Sequence, residues 1–288
     1  VFEGAPEIIQ GETFIGCTAL ESVTFNGEWK TIAAKMFKGC TALTSIDLPN
    51  VGAITNVNAP SGGWKANGGC IGAFQGCTNL QYVTIQSCIS IGISAFEGCS
   101  KLVGIAEVDA EGNPTGNTYL DLPDDVVSIG IGAFYGCKSL KNINLSANLE
   151  SIGDYAFQNC SNLTSVEIPT FVSEIGKSTF EGCGKISSLT LGAGIVTIGE
   201  RAFYGLSLLE EVNFPDAIES SGGYAFYNCT SLKALEFPAS LITIGEYAFA
   251  NCYNVETITG GANITTLGDY AFANFAKVTD FTIPDALT

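Results

Sequence analysis

The chain has 288 residues, 46% of them hydrophobic and only 14% charged, with 12 Lys and Arg against 29 Asp and Glu and a net charge of −17. Such an excess of negative charge repels phosphate backbones and anionic lipid heads, which argues against nucleic acid and bare membrane as partners. No run of about 18 apolar residues is present to span a bilayer, and the absence of His removes the commonest general base and the His-dependent nucleophile pairs.

Along the chain one phrase returns eleven times, ending on Phe14, Phe37, Phe74, Phe96, Phe134, Phe157, Phe180, Phe203, Phe226, Phe249 and Phe272. From Phe134 to Phe272 the interval is 23 residues throughout. A full copy, Ile152 to Val172, reads I-G-x-x-A-F-x-x-C-x-x-L-x-x-V-x-I-P-x-x-V, so one small unit is stacked on itself. Its L-x-x-V-x-I stretch has the two-residue period of a short strand with one face buried. Proline then ends the strand at Pro49, Pro123, Pro169, Pro215, Pro238 and Pro284, since it has no N–H for a ladder. A second apolar slot follows (Val126, Leu149, Val172), and then an Ile-Gly pair at which Gly153, Gly176, Gly199, Gly245 and Gly268 allow a tight turn. The residues from there to the Phe are too few for more than a turn or a 3₁₀ piece.

No single coil buries its apolar side, whereas stacked coils bury a continuous column. Residues 1–288 are therefore expected to form one solenoid domain. It is interrupted twice, where the Phe-to-Phe interval lengthens to 37 and then 38 residues, with insertions at about 50–67 and 106–118. The second is flanked by Ile105 to Val108 and Tyr119 to Leu122, which reads as a protruding hairpin or loop.

The phrase I-G-x-x-A-F-x-G-C-x-x-L-x-x-V-x-I-P resembles the BspA-like class of leucine-rich repeat, found mainly in surface proteins of host-associated bacteria and some protists. The resemblance runs from about Ile9 to Leu287. It implies a right-handed leucine-rich repeat superhelix, a mostly β member of the α/β class. About eleven 23-residue coils would each carry one short strand on the concave face. It also implies adhesion or another extracellular interaction, and it supplies no enzymatic activity and no fixed ligand residues.

Nine of the eleven cysteines occupy one slot, three residues after the Phe: Cys17, Cys40, Cys77, Cys99, Cys137, Cys160, Cys183, Cys229 and Cys252. Leu206 and Phe275 fill that slot elsewhere, so it reads as an apolar core position holding free, buried thiols. Cys88 falls in the slot of Val172, also a core position. Stacked coils lie ~5 Å apart, within disulfide reach, but side chains of an inward ladder run parallel rather than toward one another. Cys70 replaces a turn Gly beside an insertion and is the thiol expected to react first. With no His and no C-x-x-C pair, zinc is not expected. The segment Asp109 to Asn117 carries oxygen ligands and glycines but lacks the spacing and closing Glu of a calcium loop. Neither a metal nor a cofactor is expected. No phosphate loop, dinucleotide fingerprint or distinctive carboxylate pair is present, and no catalytic residue is assigned.

Aligning the strands on their proline places outward residues in two rows. Most are small and polar, but Tyr82 and Tyr119 fall side by side in one row, with Asp47 and Asp121 in the next and Trp64 in the nearby first insertion. Exposed aromatics beside carboxylates suit sugar stacking or a protein anchor, and these five residues form the candidate ligand-binding site. A second cluster, Tyr224, Tyr247 and Tyr270 with Tyr204 and Tyr227, should stack along one flank, either for stability or as a lateral contact.

The expectation is a non-catalytic extracellular or cell-surface module that binds host protein or glycan through the concave sheet and inserted loops. The alternative is a structural spacer with no ligand of its own. Val1 begins without a signal core, and Thr288 ends part-way through a repeat. Any signal, anchor or further domain is therefore expected outside this stretch, in a longer chain.

Overall fold

A computed structural model describes residues 11–25, 29–55, 71–108, 114–282 and 286–287. The strand pattern behaves as its alternation requires. In Ser165–Glu167 the ends face out and Val166 faces in, and the next coil repeats it in register, with Val166 paired to Leu189 and Glu167 to Thr190. The result is a parallel β-solenoid of about nine turns, with no helix among the described residues. The solenoid class expected from the repeat is therefore borne out. The turn count is slightly below eleven, and the copies around Phe14 and Phe272 are only partly covered by the described residues. Pro284 lies outside them.

Coils carry a second strand beyond the one predicted. It is the residue pair just before the turn glycine, such as Ser151–Ile152 or Thr197–Ile198. This pair builds the longest ladder: ten strands follow one another from Trp29–Ile32 to Thr266–Leu267, within an 11-stranded sheet. Two residues are too few to show an alternation, so the pattern alone does not reveal them. Their glycine is required by the approach of the neighbouring coil. A Cβ on Gly153 would lie 2.6 Å from the Ile131 nitrogen, and one on Gly199 would lie 2.8 Å from the Gly176 carbonyl carbon.

The L-x-x-V-x-I strands pair in separate groups. Tyr82–Ser87 joins Ser45–Ile54, Pro114–Asp121 joins Ile143–Asn144, Ser165–Glu167 joins Ser188–Thr190, and Ala234–Phe237 joins Thr257–Gly260. The coil of Phe203 has no strand at this place. There Phe214 stands in the slot held elsewhere by Ile168, and its ring meets Phe226 and Phe249 edge-on at 5.6 and 6.2 Å.

The Phe-centred turn supplies a third hydrogen-bonded ladder. Tyr155, Phe157 and Asn159 donate their N–H groups to the carbonyls of Lys177, Thr179 and Glu181 in the following coil, at 2.8, 2.9 and 2.8 Å. The residues between them, Ala156 and Gln158, donate within their own coil to Gly153 and Tyr155. Where the alternation is complete it needs a left-handed backbone at two places in the coil, here Tyr155 at φ 59° and Asn159 at φ 62°. The second place holds Gly or Asn, which tolerate it. The first holds Lys35, Ser94, Arg201, Tyr224, Tyr247 and Tyr270 among others, all at positive φ, each at a cost of about 1–2 kcal/mol. Inside this turn the phenylalanines form one column. Phe134, Phe157 and Phe180 have no exposed surface, and their rings stack at 5.2 and 5.3 Å with planes within 5°.

Candidate binding surface

The outward rows are where the alignment places them. Asp47, Thr84, Asp121, Asn144, Glu167 and Thr190 are exposed, while the Val and Ile residues between the rows are buried. Tyr82 is 45% exposed and pairs across the ladder with Ser45, and Thr84 pairs with Asp47. Tyr119 is half-buried. Asp121 is exposed and accepts a hydrogen bond from Asn144 Nδ2 at 3.2 Å. Trp64 and Cys70 lie outside the described residues, as does the start of the weighed calcium segment, residues 109–113.

By register Tyr82 lies diagonally across the ladder from Asp47, and Tyr119 and Asp121 lie two residues apart on one strand. Tyr82 and Tyr119 sit in successive coils, but Tyr82–Ser87 and Pro114–Asp121 belong to different sheets, and no ring contact joins the two tyrosines. The interruption comes from the second insertion. At Gly104, φ +87°, the chain reverses, and Ile105–Val108 runs antiparallel to Pro114–Asp121 with Ile105 opposite Tyr119. This is the hairpin anticipated from its flanks. Gly104 touches both rungs: its N–H bonds the Gln81 carbonyl at 3.2 Å, and a Cβ on it would fall 2.0 Å from the Tyr119 oxygen. Only glycine fits there.

The repeat, the ladders and the phenylalanine column agree with a known family. A model of the BspA type leucine rich repeat region, in six copies, matches residues 2–60, 70–108, 113–233 and 173–288. The chain belongs to this family. Among solved structures, a leucine-rich repeat protein from Eubacterium ventriosum is 19% identical over 91% of this chain and 84% of that one, with a TM-score of 0.55. One from Bacteroides ovatus is 20% identical over 93% and 80%, with a TM-score of 0.51. A leucine rich cell surface protein from Faecalibacterium prausnitzii is 22% identical over 96% and 88%, with a TM-score of 0.42. No curated protein matches.

In this BspA-type chain the cysteine slot is a core position, with an added role that its exchange for Leu206 concealed. Each buried thiol of the slot donates to the carbonyl of the phenylalanine one coil earlier, as Cys99 to Phe74, Cys137 to Phe96 and Cys160 to Phe134, all at 3.2 Å. Burial pushes the thiols up, to about 12 for Cys77 and Cys252 and well above the usual value for Cys99, Cys137, Cys183 and Cys229. The thiolate needed for nucleophilic or metal chemistry is thereby suppressed. All ten described cysteines are free, and Cys88 is buried as expected. Cys17 departs from the burial expectation: it is exposed, and the coil that would precede it falls outside the described residues. No helix among the described residues is long and apolar enough to cross a membrane.

The second tyrosine cluster forms as expected on the flank of the BspA-type turn. Tyr224, Tyr247 and Tyr270 stack at 4.9 and 4.8 Å, and Tyr204 stacks on Tyr227 at 5.1 Å. Arg201 lies over Tyr204 and Tyr224 at 5.0 and 5.4 Å and also bonds Glu181 at 3.2 Å. Within the stack the rings cover one another's faces, which favours internal packing over ligand stacking, while Tyr270 at its end is 63% exposed.

Proposed function

We propose that the chain is a non-catalytic interaction module at the bacterial cell surface or outside the cell, which binds host protein or glycan through the strand face carrying Tyr82, Asp47, Tyr119 and Asp121. The observation that carries this reading is Tyr82, a large aromatic left 45% exposed in a row of small polar side chains, one coil before the hairpin that leaves at Gly104. A half-exposed aromatic beside a carboxylate offers an apolar face and hydrogen-bond acceptors together, the combination used at anchors and sugar subsites. Family membership supports the surface setting through the resemblance to proteins of host-associated bacteria. An array of glycans and matrix proteins, probed with the chain and with a Tyr82→Ala/Tyr119→Ala variant, tests it. Saturable binding that falls at least about tenfold in the variant is expected. Binding that survives the double change moves the site elsewhere, and no saturable signal on any ligand leaves the spacer reading.

A further inference from the structure

The bend after the strand proline has its own column, in which Phe171 is out of character. The equivalent places in neighbouring coils hold Ser87, Asp125, Asn148, Gly194 and Ala217, residues suited to a solvated turn. Phe171 is 64% exposed and stacks on no other ring. Its next-coil neighbour is Gly194, where a Cβ would fall 2.1 Å from the Thr170 carbonyl oxygen. On the following-coil side, therefore, no side chain stands at the equivalent place to cover the ring.

Phe171 borders a cleft of about 460 Å³ lined also by Asp124, Asp125, Val127, Asn148 and Glu150. Three of these are carboxylates, and among the described residues none forms an ion pair with a Lys or Arg. Among the described residues Asp125 accepts only from the Ser87 hydroxyl, at 2.7 Å. The Asn148 amide reaches the Asp124 backbone carbonyl at 3.1 Å, and no described residue bonds the Asp124 carboxylate. The apolar wall continues through Val127 to Ile89, which is 57% exposed. Elsewhere carboxylates do find lysines across coils, as Glu200 finds Lys177 and Glu256 finds Lys277.

We propose that this cleft is a docking site for a cationic segment of a partner protein, in which a Lys or Arg sits beside an aliphatic residue. The cation lies over the exposed face of Phe171 and between the carboxylates of Asp125 and Glu150, where both attractions act together. The aliphatic neighbour covers Val127 and Ile89. Three clustered carboxylates repel an anionic ligand in a chain of net charge −17, and an uncharged one forgoes the ion pairing that they offer. This site is separate from the Tyr82 and Tyr119 face, and it stands or falls independently.

The test uses the whole chain and a labelled six-residue peptide alternating leucine and lysine, read by fluorescence anisotropy at physiological ionic strength. A leucine-glutamate peptide and a serine-lysine peptide serve as controls. Saturable binding is expected for the first peptide alone. Phe171→Ala should weaken it about tenfold, and a combined Asp125→Asn/Glu150→Gln variant by a similar factor, with a shallower salt dependence. Glu210→Gln/Glu211→Gln removes the same charge from a distant cleft, and Tyr82→Ala/Tyr119→Ala alters the other face; both should keep affinity within about twofold. No saturable binding, unchanged affinity in either cleft variant, or an equal loss in either distant variant overturns the assignment. Thermal melts of Phe171→Ala that match the parent chain confirm that the fold is intact.

Discussion

Asn251 offers a direct test of the left-handed turn positions. It sits two residues after Phe249 at φ 65°. Its amide donates to Asn228 Oδ1 at 2.8 Å, and its own Oδ1 accepts from Asn274 Nδ2 at 2.7 Å. Replacing it with Gly removes both side-chain bonds, a loss of about 1 kcal/mol each at most, reduced here by partial exposure. Replacing it with Ala removes the same two bonds and adds a left-handed penalty of about 1–2 kcal/mol. At an ordinary site Ala is the more stable of the two by about 0.5–1 kcal/mol, because Gly loses more chain entropy on folding. Here the order inverts, and Asn251→Gly should be the more stable by about 1 kcal/mol. Urea unfolding of both variants, followed by circular dichroism at matched slopes, measures the difference. An Ala variant as stable as the Gly variant would refute the account of the turn.

Three further outcomes concern the core. A thiol reagent at neutral pH should label Cys17 promptly in the folded chain, and Cys99, Cys137 and Cys183 only after unfolding; rapid native labelling of the buried set would contradict the ladder. Because Cys77 and Cys252 rise from 9.0 to about 12 in the fold, unfolded thiols ionise first. The stabilisation is whole below about pH 9 and drains away as pH climbs toward about 12, which urea midpoints across that range will show. Phe157→Ala should cost about 3–5 kcal/mol, since it empties a fully buried position between two stacked rings. A loss under about 1 kcal/mol in calorimetry would mean that the column is not what holds the coils.

Much of the architecture was legible because side chains recur where burial forces them to. Phe157, Cys160, Leu163 and Val166 each mark an inward position, and their interval alone implies stacking. The exposed rows followed from Pro169 and its counterparts, which fix the phase of the alternation. Less could be read where backbone geometry decides. The Ser151–Ile152 strand is too short to show a period, and its partners come from other coils. The left-handed site at Tyr155, Lys35 and Arg201 carries no compositional mark, since hydrogen bonding to the next coil imposes it on whatever residue is there. The tyrosine pair was placed in the correct row. Its separation depends on Gly104 turning the chain back, which a sequence alignment treats as a simple insertion.

The ladders of the Phe turn and of the Ile-Gly strand point in opposite senses. Phe157 donates forward to Thr179, whereas Gly153 donates backward to Ile129 at 2.8 Å. Peptide dipoles on the two flanks of each coil therefore largely oppose one another, and no helix-like field accumulates from one end of the molecule to the other. Whole coils can therefore be gained or lost by duplication or deletion without a growing end-to-end dipole to oppose the change.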